Sequence, residues 1–329
     1  MLKVLLALAV AAQAAVPATP KFDSGRAWEH LRQLVAIGPR PSGSPAIEQT
    51  RKYIRTQLAN EGLTAIDQTW DDQTPIDKVR MTNLIATLPG ARKERIIFAG
   101  HYDTKLFRDF RFVGASDGAS SAAFLLELAH ALKGRKNPFT IELLFLDGEE
   151  ARMPEWAGTD NTYGSRHYVE LAKRDGSLAS IKALILVDMI GDRDLRIRRD
   201  GNSTPWLTNL VWETARRLQG DHPFINDTTR IEDDHMPFVA AGVPSVDIID
   251  LDYEPWHTVR DTLDAVSARS LQAVGDVVLA ALPQIEAHLT KNVVLTGRRL
   301  PGKRSSYVLV KAGHKHSRHK DRLVSKAGH

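Results

Sequence analysis

The chain has 329 residues, 43% of them apolar and 26% charged, no cysteine and a formal charge of +4. That is enough apolar material for the core of one large α/β domain and excludes a disordered or fibrous protein; without cysteine there is no disulfide framework and no thiolate, so chemistry must come from oxygen and nitrogen groups. The charge is unevenly placed, because residues 298–329 carry ten Lys and Arg against Asp321, a surplus of +9, and the body without that tail and Lys3 stands at −6, which argues against a nucleic-acid partner.

In chain order, Met1-Leu2-Lys3, an apolar run over 4–10 and small residues to Ala15 predict a secretory signal peptide over 1–19 with an Ala-x-Ala-like cleavage region. No second stretch approaches the roughly 20 apolar residues of a membrane span, so an exported product, periplasmic or secreted, without stable membrane insertion is expected. Trp28, Leu31, Leu34 and Val35, then Ile47, Tyr53, Ile54 and Leu58, fall at helical spacing on either side of the turn Gly38-Pro39-Arg40-Pro41-Ser42-Gly43, predicting two helices. Strand-like runs follow at 81–88, 96–99, 141–146, 183–187 and 246–249, short and apolar on both faces as buried parallel strands are. Helical segments at 120–132, 164–174, 205–218 and 267–288 separate most of them. The alternation predicts a single α/β domain over 20–290 with a central twisted, mostly parallel mixed sheet flanked by helices. Residues 291–329 are expected to form a basic, flexible tail, in which His314, His316, His319 and His329 lie among the cations.

Acidic and histidine residues stand at the ends of these runs. They occur in Gly100-His101-Tyr102-Asp103, Gly114-Ala115-Ser116-Asp117, Asp147-Gly148-Glu149-Glu150, Val187-Asp188-Met189, Asp233-Asp234-His235 and Trp256-His257-Thr258. In α/β sheets, ligands gather beyond the carboxyl ends of the strands. Carboxylates buried there without a partner would cost several kcal/mol each, so a group of them implies a shared cation or shared protons. Carboxylate and imidazole groups converging on one pocket are what a catalytic zinc ion requires, with three protein ligands and one position open. Adjacent Glu149 and Glu150 can face different ways only if the backbone turns sharply, and Gly148 offers that turn; one can then bind metal while the other works as acid and base. His235 is expected to make a structural hydrogen bond and His167 to pack.

The order His-Tyr-Asp, Gly-Ala-x-Asp, Asp-Gly-Glu-Glu, an Asp before Met-Ile-Gly, Asp-His-x-Pro-Phe and His-Thr, spread over about 22–289, resembles the M28 family of zinc aminopeptidases and their relatives. Within it, His101-Tyr102-Asp103-Thr104-Lys105, Tyr163-Gly164-Ser165-Arg166-His167, Asp233-Asp234-His235-Met236-Pro237-Phe238, Trp256-His257-Thr258 and Trp156 are more similar to the glutaminyl-peptide cyclotransferases, or glutaminyl cyclases. The resemblance implies a zinc aminopeptidase-like (phosphorylase/hydrolase-like) fold. It implies one zinc per chain on Asp117, Glu150 and His257, Glu149 as the proton-transferring acid and base, and Asp188 and Asp233 as an acidic network beside it. Trp156, Trp256, Glu232 and His101 are expected at the substrate. Glu232 stands where the animal enzymes carry glutamine, and the Trp156 loop is one residue longer than theirs. In two-zinc aminopeptidases the positions of His101 and Asp188 bind a second metal.

The implied reaction is attack of an N-terminal glutamine's α-amine on its own γ-carboxamide, giving pyroglutamate and ammonia. Peptides or proteins with N-terminal Gln are the expected partners, and a monomer the expected state. Two other readings compete: a two-zinc aminopeptidase of the same family, and a non-catalytic binding protein on the same fold.

Overall fold

The apolar runs become the parallel heart of a six-stranded sheet. A computed structural model describes residues 20–297, with side chains to Lys291; the expected signal segment 1–19 and residues 298–329 lie outside the described residues. The elements are α1 Ser24–Ile37, α2 Pro45–Asn60, β1 Ile66–Gln73, β2 Lys78–Leu88, β3 Gly90–His101, α3 Ala119–Ala131, β4 Asn137–Leu146, α4 Tyr163–Arg174, β5 Ile181–Asp188, β6 Ile197–Asp200, α5 Pro205–Gln219, β7 Phe224–Thr229, α6 His235–Ala240, β8 Ser245–Ile249 and α7 Ala268–Gly297. The sheet order is β1-β2-β4-β3-β5-β8, with β6 and β7 forming a separate pair.

Strands β4, β3, β5 and β8 run parallel to one another, whereas β2 is antiparallel to β4 and β1 antiparallel to β2. The parallel strands are buried nearly throughout their carboxyl halves, which is why they read as continuous apolar runs. One face packs on α1, α2, α3, α5 and α7 through residues such as Leu31, Ile54, Phe124, Val211 and Val278; the other packs on α4 and α6 through Tyr168, Val169 and Phe238. Helix α3 is buried along its length from Ala119 to Ala129, and its one carboxylate there, Glu127, accepts from the Asp23 N–H and from Arg26 Nε.

The helix starts follow local chemistry. Asp23 caps α1 by accepting from the N–H groups of Gly25 and Arg26, and Ser44 caps α2 by accepting from Ile47, with Pro45 at the first helical position.

Three strands were not expected from the sequence: β1, β6 and β7. β1 is an edge strand reading Ile-Asp-Gln-Thr-Trp-Asp-Asp-Gln, half-buried on alternate residues only, so it lacks the apolar run that marks the central strands. Helix α7 continues to Gly297, and the domain boundary expected at 290 therefore falls within it. Among the described residues no helix is long and apolar enough to cross a membrane.

Candidate active site

Because β3, β4, β5 and β8 point the same way, their carboxyl ends share one edge of the sheet. His101 is the last residue of β3, Asp147 follows β4 and leads to Glu149 and Glu150, Asp188 is the last residue of β5, and the segment after β8 leads to His257. Asp117 lies in the turn before α3, and Asp233 in the turn before α6. Sharp backbone turns aim these side chains. Gly148 has φ of 72° and Gly118 of 82°, while Met189 and His257 adopt left-handed φ values of 48° and 54° that a non-glycine residue holds only when its surroundings enforce them. At Gly148 a Cβ would stand 2.7 Å from Met81 Sδ, and at Gly118 it would stand 2.4 Å from the Asp103 carbonyl oxygen.

The structure brings the expected residues into two overlapping groups, Asp117 with Glu150 and His257, and His101 with Asp117 and Asp188; within each, one ligand atom per residue lies within 4.8 Å of the others. His257 Nε2 is 3.3 Å from Asp117 Oδ2 and 3.4 Å from Glu150 Oε1. Those carboxylate oxygens are buried and have no hydrogen-bond partner. The spacing matches the edge of a tetrahedron whose metal–ligand bonds are about 2.0–2.2 Å long. Two orphaned carboxylate oxygens facing one imidazole nitrogen form a donor set that fits zinc. In the second group His101 Nε2 lies 3.1 Å from Asp188 Oδ1 and 3.2 Å from Asp117 Oδ1. Here Asp188 Oδ1 already accepts from Ser121 Oγ at 3.2 Å and from its neighbour's N–H, that of Met189, at 2.7 Å, so its demand for a cation is smaller.

The Glu pair is split as its local geometry demands. Asp103 accepts from the backbone N–H of Glu149 at 3.3 Å and of Glu150 at 3.4 Å. The Glu150 side chain faces His257, while Glu149 Oε2 stands 3.7 Å from His101 Nδ1. Judged from the protein groups alone, burial pushes the Glu149 carboxyl well above the usual range; His101 opposes this, and Glu150, Asp233 and Asp188 add to it. Asp233 is pushed up to about 7 by burial and by Asp188. For His257, burial lowers the imidazole's affinity for a proton, but Asp117 and Glu150 outweigh it and raise its pKa to about 9. Asp117 is held below the ordinary carboxylate value, because His101 and His257 overcome its burial.

A cavity of about 300 Å³ opens at this edge, lined by Asp117, Glu149, Glu150, Asp188, Asp233 and His257 together with Trp156, Trp256, Glu232 and Lys105. Trp256 is 43% exposed and stacks on His257 with ring centroids 4.3 Å apart. Trp156 is half-buried in a loop that Asp160 pins by accepting from the N–H groups of Arg152 and Met153 and from the Tyr163 hydroxyl. His101, expected at the substrate, is 1% exposed and does not line the cavity; it stands behind the carboxylates and reaches the cavity only through them. His235 is fully buried with Nε2 2.9 Å from Asp200 Oδ2, and His167 stacks on Trp70 at 4.2 Å.

Residues 83–282 match peptidase family M28. The chain belongs to that family. It is 32% identical to a glutaminyl-peptide cyclotransferase-like protein of Bos taurus, over 74% of this chain and 70% of the relative. The crystal structure of an Acidobacteriales bacterium glutaminyl cyclase has the same fold with a TM-score of 0.79 and 38% identity, covering 84% of this chain and all (100%) of that one. A leucine aminopeptidase precursor from Bacteroides thetaiotaomicron aligns at a TM-score of 0.75 with 25% identity, over 81% of this chain and 99% of that one. The chain is thus similar in sequence to a cyclotransferase-like protein, and in fold to a glutaminyl cyclase and to a leucine aminopeptidase precursor.

For an M28 chain, several supporting residues were not visible in the sequence. Arg40 is fully buried and donates to the carbonyl oxygens of Tyr102 (2.8 Å), Val113 (2.6 Å) and Gly114 (3.0 Å), tying the end of β3 to the Asp117 turn. Lys105 is 4% exposed, lines the cavity and lies 3.8 Å from Glu150 Oε2. Phe107 and Phe112 meet the His257 ring edge-on at 5.6 and 5.8 Å. Of these, Lys105 alone falls within a motif quoted from the sequence, His101-Tyr102-Asp103-Thr104-Lys105, which gave it no role.

Proposed function

We propose that this chain is a zinc-dependent glutaminyl-peptide cyclotransferase that closes the N-terminal glutamine of peptides or proteins to pyroglutamate and releases ammonia. The observation that carries this is a single cavity in which buried Glu149 stands beside the zinc-fitting Asp117, Glu150 and His257, with Trp156 and Trp256 on its walls. At about 300 Å³ it is at the small end for ligand pockets, with room for one folded side chain and its amine. The 38% identity to an Acidobacteriales bacterium glutaminyl cyclase and the 32% identity to a cyclotransferase-like protein of Bos taurus support the same reading.

Zinc bound there supplies Lewis acidity toward a carbonyl oxygen and stabilises the negative charge that develops on it. The residues of the chain do the rest. Glu149 takes a proton from the substrate's neutral α-amine as its nitrogen bonds to the γ-carbon, and returns that proton to the departing amide nitrogen, so that one C–N bond forms, one breaks and ammonia leaves. Asp188 and Asp233 line the same cavity, and their charges add to burial in favouring the protonated form of the Glu149 carboxyl. Trp156 and Trp256 hold the side chain folded back on its amine, where orientation alone can supply many kcal/mol of the barrier. Glu232 sits at the exposed rim of the cavity, placed to meet the residues that follow the glutamine.

One zinc per chain is proposed, on Asp117, Glu150 and His257, because the orphaned oxygens belong to that group. Export to the periplasm or the medium is part of the proposal and is supported by the N-terminal charge, apolar run and small residues. The test is incubation of the zinc-loaded protein with a Gln-initiated and an Ala-initiated peptide, followed by mass spectrometry and an ammonia assay. Cyclisation of the first peptide with the second intact is the expected result. Removal of the first residue from either peptide would transfer the assignment to aminopeptidase, and zinc binding without any reaction would leave a binding protein.

A further inference from the structure

Asp117 and His257 belong to segments 140 residues apart in the sequence, and no strand or helix joins them directly. Something must hold them at 3.3 Å. The side chain that spans the gap is Asp261, which is 1% exposed. Its Oδ1 accepts from the Ser116 N–H at 2.8 Å and from the Tyr253 hydroxyl at 2.6 Å, and its Oδ2 accepts from the Asp117 N–H at 3.1 Å. Its own carbonyl accepts from the Ala115 N–H at 3.4 Å. One residue therefore receives the backbone of the Asp117 turn at three successive positions.

Asp261 is equally bound to the His257 side. The Thr258 N–H donates to the Pro255 carbonyl at 3.1 Å and the Asp261 N–H to the Thr258 carbonyl at 3.3 Å, so two consecutive tight turns carry His257 between fixed points. The left-handed backbone of His257 needs such enforcement. Tyr253, 2% exposed, anchors the start of the same segment against Met189, Ile231 and Ile249, which form part of the cavity wall.

We infer that Asp261 is a positioning residue that sets the separation of Asp117 and His257, and through it the affinity of the site for zinc. The inference rests on the reading of those two residues as zinc ligands. Its chemistry is specific to a carboxylate: three donors and no acceptor face the side chain, so an amide of the same shape must turn an N–H toward another N–H or give up a bond. Groups that orient metal ligands in this way typically account for about 10–100-fold in metal affinity when altered.

The experiment is a zinc titration in competition with a chromophoric chelator, with the visible absorption of the cobalt-substituted protein as a second readout. Asp261→Asn is expected to bind zinc about 10–100-fold more weakly and to shift the cobalt bands. Tyr253→Phe, which leaves the carboxylate with its two backbone donors, is expected to lose less. Glu286→Gln is the control for general destabilisation, since Glu286 pairs with Arg135 at 2.6 and 2.7 Å in a partly buried contact outside the site; it should lower Tm and leave zinc affinity unchanged. Wild-type zinc affinity and cobalt spectrum in Asp261→Asn would overturn the inference, as would an equal loss of affinity in Glu286→Gln. Should Asp261→Asn fail to fold, unchanged affinity and spectrum in Tyr253→Phe would overturn it. Unchanged zinc binding in Asp117→Asn would instead bring down the ligand reading beneath it.

Discussion

Glu149 and His101 face one another, Oε2 to Nδ1, at 3.7 Å, while the next residue along the chain, Glu150, faces His257 at 3.4 Å. The two glutamates thus occupy different chemical settings although they are adjacent in sequence. Replacing Glu149 by Gln keeps its shape and leaves Asp117, Glu150 and His257 in place, but removes the group that can carry a proton. The expected result is full zinc content by atomic emission with kcat reduced by about 10²–10⁴-fold. Turnover near that of the parent protein would remove Glu149 from its role.

Removing the imidazole of His257 takes away one of three zinc-fitting groups and leaves two buried carboxylates facing each other. His257→Ala is expected to lose both bound zinc and activity in the same preparation. Dialysis of the parent protein against a chelator should abolish activity, and one equivalent of zinc per chain should restore it. A requirement for two equivalents would place a working metal in the His101, Asp117 and Asp188 group.

Arg40 should matter to stability as much as to the site. Its guanidinium satisfies three carbonyl oxygens in a fully buried position, and burial pulls its pKa down to about 10, against the attraction of Asp117 and Asp103. Arg40→Ala leaves those acceptors unpaired, each costing about 1–3 kcal/mol. Urea unfolding should show a loss of about 3 kcal/mol or more, and a loss below about 1 kcal/mol would mean that water replaces the guanidinium at little cost.

His30 gives a pH dependence that is independent of the site. It is buried, its Nδ1 lies 2.8 Å from the Tyr53 hydroxyl, and burial together with Arg26 lowers its pKa to about 4. An unfolded histidine titrates near pH 6.5, so between about pH 6.5 and pH 4 the unfolded chain takes up a proton that the folded chain refuses. The contribution is fully present above pH 6.5 and is lost as pH falls toward 4. From pH 7 to pH 5 this amounts to about 2 kcal/mol. The unfolding free energy of His30→Gln should change less over that interval than that of the parent by about this amount, and parallel pH profiles for the two proteins would refute the assignment.

The central strands were legible because both of their faces are buried: the runs at 96–99, 141–146, 183–187 and 246–249 are apolar at consecutive positions, and the acidic residues directly after them mark the carboxyl edge of the sheet. β1 was not legible because an edge strand with one half-buried face needs few apolar residues, and β6 and β7 because four and six residues are too few to establish a period. Gly148 announced the turn that separates Glu149 from Glu150.

What the sequence determined by itself was therefore local: burial period, turn chemistry, and the residue types at the strand ends, whose order carries the M28 family. Distances between segments far apart in the chain were decided only by the tertiary structure. The 3.3 Å between Asp117 and His257, the retreat of His101 behind the carboxylates, and the convergence of Arg40 and Asp261 on the Asp117 turn depend on how the helices and sheet pack, and no periodicity records them. A local pattern reports which side of an element meets the core, whereas a site is a set of long-range separations set by packing and by a few buried hydrogen bonds.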